Sequence, residues 1–245
     1  MKNHKFFNGN LGQWKCYKKS GKEIWLAGYY NNNFPVQIFN IIEDVEIINK
    51  NLCKKIFNYL GDSFGIIIIT NKWIFAAVDY CRSYPVYYSC EAGKLVLAAQ
   101  ANILEKSLID YNQLTAFRMS GYTIDNNTLW KKIKSISAGK FLFYKNEDLF
   151  FCKEYFTFLP KEDFSLSYSE YQNILKTEID KLIKSLIKTA NGKTIIIPLS
   201  AGLDSRLIAS GLRHYNYNNV KCFSYGIRGN HESNASKIIA KKLNY

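Results

Sequence analysis

The stretch that most constrains the fold of this chain is residues 194–206, Thr-Ile-Ile-Ile-Pro-Leu-Ser-Ala-Gly-Leu-Asp-Ser-Arg. Its aliphatic, β-branched start predicts a buried parallel strand. The small residues Ser200-Ala201-Gly202 predict a turn, and a helical pattern follows from Asp204. A strand, a small turn and a helix N-terminus together favour phosphate binding, because the unpaired amides of the first helical turn and the helix dipole attract anions. The segment is not a Walker A loop, since no Gly-Lys-Ser/Thr follows the turn.

Composition bounds the class of protein. The chain has 245 residues, of which 47% are hydrophobic and 16% aromatic, as expected for one large or two modest globular domains. No apolar segment approaches the roughly 18 residues that span a bilayer. The residues after Met1 lack the apolar core of a signal peptide. These features favour a cytoplasmic protein without a membrane partner.

The six cysteines and three histidines argue against a zinc site or a Cys–His catalytic pair. Cys16, Cys53, Cys81, Cys90, Cys152 and Cys222 show no CxxC spacing, and we expect reduced, mostly buried thiols. The net charge of +13 is compatible with a nucleic-acid partner. However, the lysines are spread along the chain without an arginine-rich aromatic face, so a solvated basic surface is favoured over a nucleic-acid partner.

The chain divides into two predicted domains, at 1–158 and 164–245. The first is β-rich, with predicted strands at 24–30, 63–71, 73–79, 85–90, 94–99, 140–144 and 149–155 and helices at 49–59 and 111–119. The breaker segment Leu159–Asp163 separates it from a long amphipathic helix at 165–190. Strand 194–199, helix 204–214, strand 219–225 and a helix at 231–243 then alternate, which predicts the start of a doubly wound α/β fold.

Ser-Ala-Gly-Leu-Asp-Ser, residues 200–205, resembles the Ser-Gly-Gly-x-Asp-Ser pyrophosphate loop of the ATP pyrophosphatase superfamily, which includes asparagine and β-lactam synthetases. The resemblance implies that Ser200 and Ser205 contact phosphate oxygens and that Asp204 lies near the Mg²⁺ that accompanies ATP. Ala201 replaces the first glycine of the pattern. If that position needs a positive φ, alanine costs about 1 kcal/mol or more.

The N-terminal half is similar to a different part of the same family. Residues 79–88, Asp-Tyr-Cys-Arg-Ser-Tyr-Pro-Val-Tyr-Tyr, are similar to the Arg-Asp-x-x-Gly-x-x-Pro-Leu-Tyr-Tyr segment of class II glutamine amidotransferase domains in asparagine synthetases. Residues 94–100, 121–122, 128–133 and 137–142 continue the resemblance in the family's order. It implies an α+β Ntn-hydrolase-like αββα sandwich, followed by the first part of a parallel-sheet ATP pyrophosphatase domain.

The resemblance departs from the family at its glutaminase site. The family uses an N-terminal cysteine whose α-amine is the base, but position 2 is Lys2, and Cys16 lies inside the chain. The family's Asn-Gly-Glu is best matched by Ala27-Gly28-Tyr29, and the missing Asn side chain is worth about 3 kcal/mol of transition-state stabilisation in comparable sites. We therefore expect no glutamine hydrolysis, and no catalytic residue is assigned with certainty.

The expected ATP site comprises Leu199, Ser200, Ala201, Gly202, Leu203, Asp204, Ser205, Tyr225 and Gly226. Leu199 and Tyr225 match family positions that contact adenosine through backbone atoms. For Arg206 we slightly favour a solvated position on the helix surface over a contact with phosphate. Glu232 stands where the family often has an acidic residue at the start of the next helix. A favourable interaction with that helix N-terminus explains it equally well.

The function implied is an ATP-dependent amide-forming ligase that activates a small-molecule carboxylate as its acyl-adenylate. It would use ATP and Mg²⁺ and take its nitrogen from an amine or ammonia. The resemblance is compatible with a homodimer. The second domain has only two predicted strands before Tyr245, so we expect a fragment or a remainder supplied elsewhere. Two alternatives stay open. One is a non-catalytic, truncated ATP-binding protein. The other is a tRNA-modifying pyrophosphate-loop enzyme, although no CxxC or nucleic-acid-binding extension is present.

Overall fold

The computed structural model describes residues 5–9, 13–30, 33–105, 108–146, 149–227 and 229–245. The chain is a mixed α/β protein that forms two compact units, Met1–Leu159 and Pro160–Tyr245. In the N-terminal unit the elements are β1 Lys5–Phe7, β2 Trp14–Lys19, β3 Lys22–Tyr30, α1 Phe34–Ile41, α2 Lys50–Phe57, β4 Leu60–Ile69, β5 Ile74–Val78, β6 Tyr87–Glu91, β7 Lys94–Ala98, a 3-10 turn Ala101–Ile103, α3 Tyr111–Ser120, β8 Lys134–Ser135, β9 Lys140–Asn146 and β10 Leu149–Glu154.

Two sheets form the body of the N-terminal unit. One has six strands in the order β10-β9-β5-β4-β3-β2, and the other has four in the order β1-β7-β6-β8. Side chains alternate between the two faces of each strand. Ile66 and Ile68 of β4 therefore join a core shared with α1 and α2, whereas Ile67 joins a core shared with Leu95 and Leu97 of β7. Because β4 is buried on both faces, its sequence is a continuous apolar run instead of an alternating one.

The outer helical layer that an αββα sandwich places over its second sheet is not seen in the described residues. The outer face of the four-stranded sheet carries a small cluster built on Ala98, Leu104 and Ile133. No side chain of α3 belongs to that cluster, and Gln113 is the only buried residue of α3. Within the described residues, the layers are therefore two helices, two sheets and a short loop cluster. The helix at 34–41 and the strands at 5–7, 14–19 and 134–135 were not expected from the sequence.

The C-terminal unit contains α4 Tyr168–Ala190, β11 Ile195–Pro198, α5 Leu203–His214, β12 Val220–Phe223 and α6 His231–Lys242. The predicted elements are thus confirmed, with shorter strands than expected, and β11 and β12 pair in parallel. The helix α4 begins at a reciprocal capping box, in which Ser167 accepts from the Glu170 amide and the Glu170 carboxylate accepts from the Ser167 amide.

Burial in this unit is one-sided, which corrects two expectations. The helices α4, α5 and α6 all contribute to a single apolar cluster with Ile195 and Ile197, so helices on both faces, as in a doubly wound sheet, are not seen in the described residues. The opposite face carries Ile196 and Phe223, which are 64% and 49% exposed. The predicted strand is parallel, as expected, but it is buried on one face only. Four apolar positions of the predicted α4 stripe are likewise exposed: Tyr171, Ile174, Leu175 and Leu182.

The cysteines also differ from expectation. All six thiols are free in the described part of the chain, but only Cys53 is buried, while Cys81 and Cys90 are exposed. Burial raises the pKa of the Cys53 thiol to about 12. None of the described helices is both long enough and apolar enough to cross a bilayer.

Candidate functional site

The candidate site is the turn that joins β11 to α5. The two parallel strands end at the same edge of their sheet, and each leads into a helix N-terminus. In α/β sheets, ligands bind outside the carboxyl ends of the strands. The turn therefore lies where the topology itself favours a ligand.

Two serine hydroxyls organise the turn. Ser205 Oγ accepts a hydrogen bond from the Ser200 amide at 3.1 Å, and the Ser200 and Ser205 Oγ atoms are 3.0 Å apart. Ser200 Oγ also accepts from the Gly202 amide at 3.1 Å. The mutual hydrogen bond uses only one of the two hydroxyl protons, so the pair retains one O–H that can donate to a ligand oxygen.

The N-terminus of α5 lacks a side-chain cap. Gly202 is the N-cap residue and supplies no side-chain acceptor, whereas Ser167 caps α4 and Asn230 caps α6. The amides of Leu203, Asp204 and Ser205 lie in the first turn, where no intrahelical acceptor exists. An anion at this position would therefore meet both donors and the positive end of the helix dipole.

Ala201 fits this turn without strain. Its φ is not positive, and that of Gly202 is −68°. The cost considered for replacing a glycine by alanine at position 201 therefore does not arise. The departure from the glycine pattern is compatible with the observed backbone.

Leu199 has a structural role as well as its predicted place in the site. Its side chain is buried in the apolar cluster, its amide donates to Phe223 O at 2.8 Å, and its carbonyl accepts from Ser236 Oγ at 2.7 Å. Because a carbonyl oxygen has two lone pairs, the Leu199 carbonyl can accept one further hydrogen bond from a ligand. Ser236, a buried hydroxyl that links α6 to the end of β11, was missed by the sequence analysis.

Tyr225 and Gly226 follow β12. The Tyr225 side chain is 79% exposed, and its ring lies 6.4 Å from that of Phe223. Gly226 has a φ of +124°, and a Cβ there would lie 2.8 Å from Asn230 Nδ2. Asn230 caps α6 through a 2.7 Å hydrogen bond from the Ser233 amide. An Asn before a helical pattern is an N-cap signal that the sequence already contained.

The charged residues of the site are placed separately. Asp204 is exposed in the first turn of α5, and no described residue forms an ion pair with it. Arg206 Nε donates to Gly202 O at 3.0 Å and so stabilises the turn. Glu232 lies in the first turn of α6, where its charge complements the helix dipole.

A single exposed carboxylate suits Mg²⁺ bound together with phosphates. The described residues include no group of three or more His, Cys, Asp or Glu side chains that could hold a metal ion by themselves. Mg²⁺ is usually held by one or two carboxylates plus substrate phosphates and waters. Asp204, beside the 200–205 turn, matches that donor set.

Residues 79–83, at the start of the segment that resembles an amidotransferase domain, form a turn to which the sequence assigned no role. Asp79 is fully buried, and its carboxylate accepts hydrogen bonds from the amides of Phe64, Cys81 and Ser83. Arg82, in the same turn, has a φ of +56°. The sequence signal for this turn is Arg82 itself, which stands at the glycine position of the family segment that residues 79–88 resemble. Lys2 lies outside the described residues. Gly28 has a φ of +106°, and a Cβ there would lie 2.1 Å from Ser63 O.

Comparisons with known proteins assign no family. No family model and no curated protein matches the chain. A solved structure of glutamine phosphoribosylpyrophosphate amidotransferase from B. subtilis, complexed with ADP and GMP, is 14% identical over 59% of this chain and 32% of that one, with a TM-score of 0.33. A structure of the allosteric regulatory enzyme of purine biosynthesis is 12% identical over 91% of this chain and 51% of that one, with a TM-score of 0.33. The chain thus spans about a third to a half of the length of these two enzymes, and a similarity this low assigns neither family nor function.

Proposed function

We propose that the C-terminal unit binds ATP at the 200–205 turn and uses it to activate a carboxylate for amide formation. The observation that carries the proposal is the paired hydroxyls of Ser200 and Ser205 beside the uncapped N-terminus of α5. The first-turn amides, a free hydroxyl proton and the positive end of the helix dipole all favour an anion such as pyrophosphate. The similarity of residues 200–205 to the pyrophosphate loop favours ATP over other anions.

The chemistry would proceed in two displacements. A carboxylate oxygen of the substrate attacks the α-phosphorus, the bond from that phosphorus to the bridging oxygen breaks, and pyrophosphate leaves. A nitrogen nucleophile then attacks the acyl carbon, AMP leaves with the electron pair of the acyl–oxygen bond, and the amide forms after the nitrogen loses a proton. Positioning and charge neutralisation supply most of the acceleration in phosphoryl-group chemistry.

Within this scheme the residues have separate roles. Ser200, Ser205 and the amides of the first turn would hold the departing pyrophosphate. Asp204 would hold Mg²⁺, which supplies charge neutralisation of the phosphates when bound. Gly226 keeps the backbone after β12 clear of a side chain, and Tyr225 is exposed where adenosine would be bound by the backbone.

The nitrogen donor is proposed to be ammonia or an amine and not glutamine. The family's Asn-Gly-Glu is best matched by Ala27-Gly28-Tyr29, so the Asn side chain that helps bind glutamine and stabilise the transition state is missing. Glutamate release from glutamine by the purified protein, above the rate without protein, would contradict this part of the proposal.

The test of the ligase proposal is acid-dependent exchange of labelled pyrophosphate into ATP. We expect exchange with at least one carboxylic acid of a broad panel and loss of that exchange in Ser205→Ala. Ser210→Ala is the matched control, because Ser210 Oγ donates only to the Arg206 and Leu207 carbonyls of α5. No exchange with any acid, from a protein that binds ATP, would sink the ligase proposal.

A second candidate is nucleotide binding without turnover. The open face that carries Ile196 and Phe223 favours it, because this unit buries only one side of its two-stranded sheet. ATP binding that depends on Ser205, without exchange or hydrolysis, would support this candidate.

A further inference from the structure

The N-terminal unit contains a cavity of about 360 Å³ that is separate from the phosphate-binding turn in sequence and is formed within that unit alone. Its lining comes from the turn after β5, the start of β6, the end of α3 and the segment 121–130. The volume is in the range of small-molecule sites, which run from about 300 to 1,000 Å³. Nothing in the proposed ligase chemistry uses this cavity.

Arg82 enters the cavity from a strained backbone. Its φ of +56° is in the left-handed region, which an arginine rarely adopts. The amides on either side, those of Cys81 and Ser83, are both bound by the buried Asp79 carboxylate, and the Arg82 amide donates to Asp79 O at 3.2 Å. The turn is thus held rigidly in a conformation that glycine would adopt more easily. Strain that the surrounding structure maintains in this way clusters at functional sites.

The Arg82 guanidinium is oriented but not neutralised. It donates from Nη2 to Tyr87 Oη at 3.2 Å and lies 5.5 Å from the centre of the Tyr87 ring. No ion pair joins it to a described carboxylate. A guanidinium has five N–H donors in a planar fork that fits a carboxylate, so most of its donors remain for a ligand.

The rest of the lining supplies aromatic surface and one opposite charge. Phe117 and Tyr122 are 44% and 69% exposed, and Trp130 lines the same cavity. Such rings favour a planar apolar body. Asp125 also lines the cavity and forms no ion pair with a described residue. Asp125 would repel a simple anion, so the opposite charges of Arg82 and Asp125 favour a ligand that itself carries both charges.

We propose that this cavity binds a free amino acid with an aromatic side chain. Its carboxylate pairs with Arg82, its ammonium group pairs with Asp125, and its ring packs among Phe117, Tyr122 and Trp130. The turn held by Asp79 positions Arg82 for this contact. The site is independent of the proposed ATP chemistry, so that either can fail while the other stands.

The test is calorimetric titration of the whole chain with phenylalanine, with phenylpropionate, which lacks the ammonium group, and with phenethylamine, which lacks the carboxylate. We expect phenylalanine to bind and each analogue to bind at least about tenfold more weakly, the ratio that corresponds to about 1.4 kcal/mol. Tryptophan fluorescence, to which Trp130 contributes together with Trp14, Trp25 and Trp73, gives a second readout that phenylalanine does not obscure.

The informative variant is Arg82→Gly, because glycine relieves the strain at φ +56° and should leave the melting temperature unchanged or higher. We expect it to bind phenylalanine at least about tenfold more weakly, whereas Arg118→Ala, which removes an exposed arginine of α3 outside the cavity, binds normally. Asp125→Asn should weaken phenylalanine binding and strengthen phenylpropionate binding. Absence of phenylalanine binding, equal binding of phenylpropionate by the native chain, or unchanged binding in Arg82→Gly would each overturn the proposal.

Discussion

The Oγ atoms of Ser200 and Ser205 lie 3.0 Å apart across the turn that joins β11 to α5. Ser205 Oγ simultaneously accepts from the Ser200 amide, so this hydroxyl, in the first turn of α5, also shapes the turn before the helix. The pair links the backbone of the turn to the position where an anion would bind. Ligand affinity at this site should therefore depend on Ser205 more than on any other hydroxyl of α5.

Replacing Ser205 with alanine should weaken binding of ATP and of inorganic pyrophosphate by about tenfold or more, because hydrogen bonds to charged groups contribute about 1.5–3 kcal/mol. Ser205→Thr keeps the hydroxyl and should retain most of the affinity. Titration calorimetry with Mg²⁺ present measures both. Equal affinities for the alanine variant, the Ser210→Ala control and the native chain would rule out the assigned role of Ser205.

Gly28 and Gly121 form a matched pair for backbone strain. Both have positive φ, +106° and +84°, but a Cβ at Gly28 would lie 2.1 Å from Ser63 O, whereas a Cβ at Gly121 meets nothing within 4 Å. We expect Gly121→Ala to lower the free energy of unfolding by about 1–2 kcal/mol through strain alone. Gly28→Ala should lower it by about 3 kcal/mol or more, because the strands β3 and β4 must also separate locally. Urea unfolding measures both values, and similar losses would contradict the steric argument.

Asp79→Asn should destabilise the N-terminal unit by about 2–4 kcal/mol. Both carboxylate oxygens accept from backbone amides, so an Asn side chain must turn its NH₂ group towards a buried N–H. Asp62→Asn, at an exposed position 17 residues earlier in the chain, is the control and should change stability by less than about 0.5 kcal/mol. The comparison is made by denaturant unfolding, and a neutral Asp79→Asn would show that these hydrogen bonds do not hold the turn.

Glu46 should make stability depend on acidity. Hydrogen bonds from Lys145 Nζ at 2.7 Å and Lys72 Nζ at 2.6 Å lower the pKa of its carboxyl from 4.5 to about 2. A lowered folded-state pKa gives stability that is present above about pH 4.5 and is lost as the pH falls towards 2.

The check on Glu46 compares urea-unfolding midpoints of the native chain and Glu46→Gln. We expect the native midpoint to be higher near neutral pH and the difference to vanish as the pH approaches 2. High salt should reduce the difference at neutral pH, because the pair is exposed. Glu43→Gln, at an exposed glutamate nearby in sequence, should show no such trend, and a difference that does not vary with pH would refute the mechanism.

Local patterns in the sequence predicted much of the architecture. The alternation of apolar runs and turns predicted strands that the structure confirms as β3–β7, β9 and β10, and the helical spacing at 165–190 predicted α4. These elements were predictable because their periodicity is a property of neighbouring residues. The short strands β1 and β8 were missed because pairing with the distant β7 and β6, and not a strong local pattern, defines them. The strand β2, which forms a hairpin with the adjacent β3, and the helix α1 were missed as well.

Tertiary structure, and not the local pattern, decided which distant residues meet in space. The sequence predicted the turn at 200–205 and its two serines, but not that Ser236 would hold the Leu199 carbonyl or that α5 would be left without a side-chain cap. The resemblance that led to residues 79–88 did not indicate that Arg82 would line a cavity with Phe117 and Asp125. Local order follows from backbone preference and side-chain periodicity, whereas burial and the meeting of distant side chains depend on packing of the whole chain, which no short segment specifies.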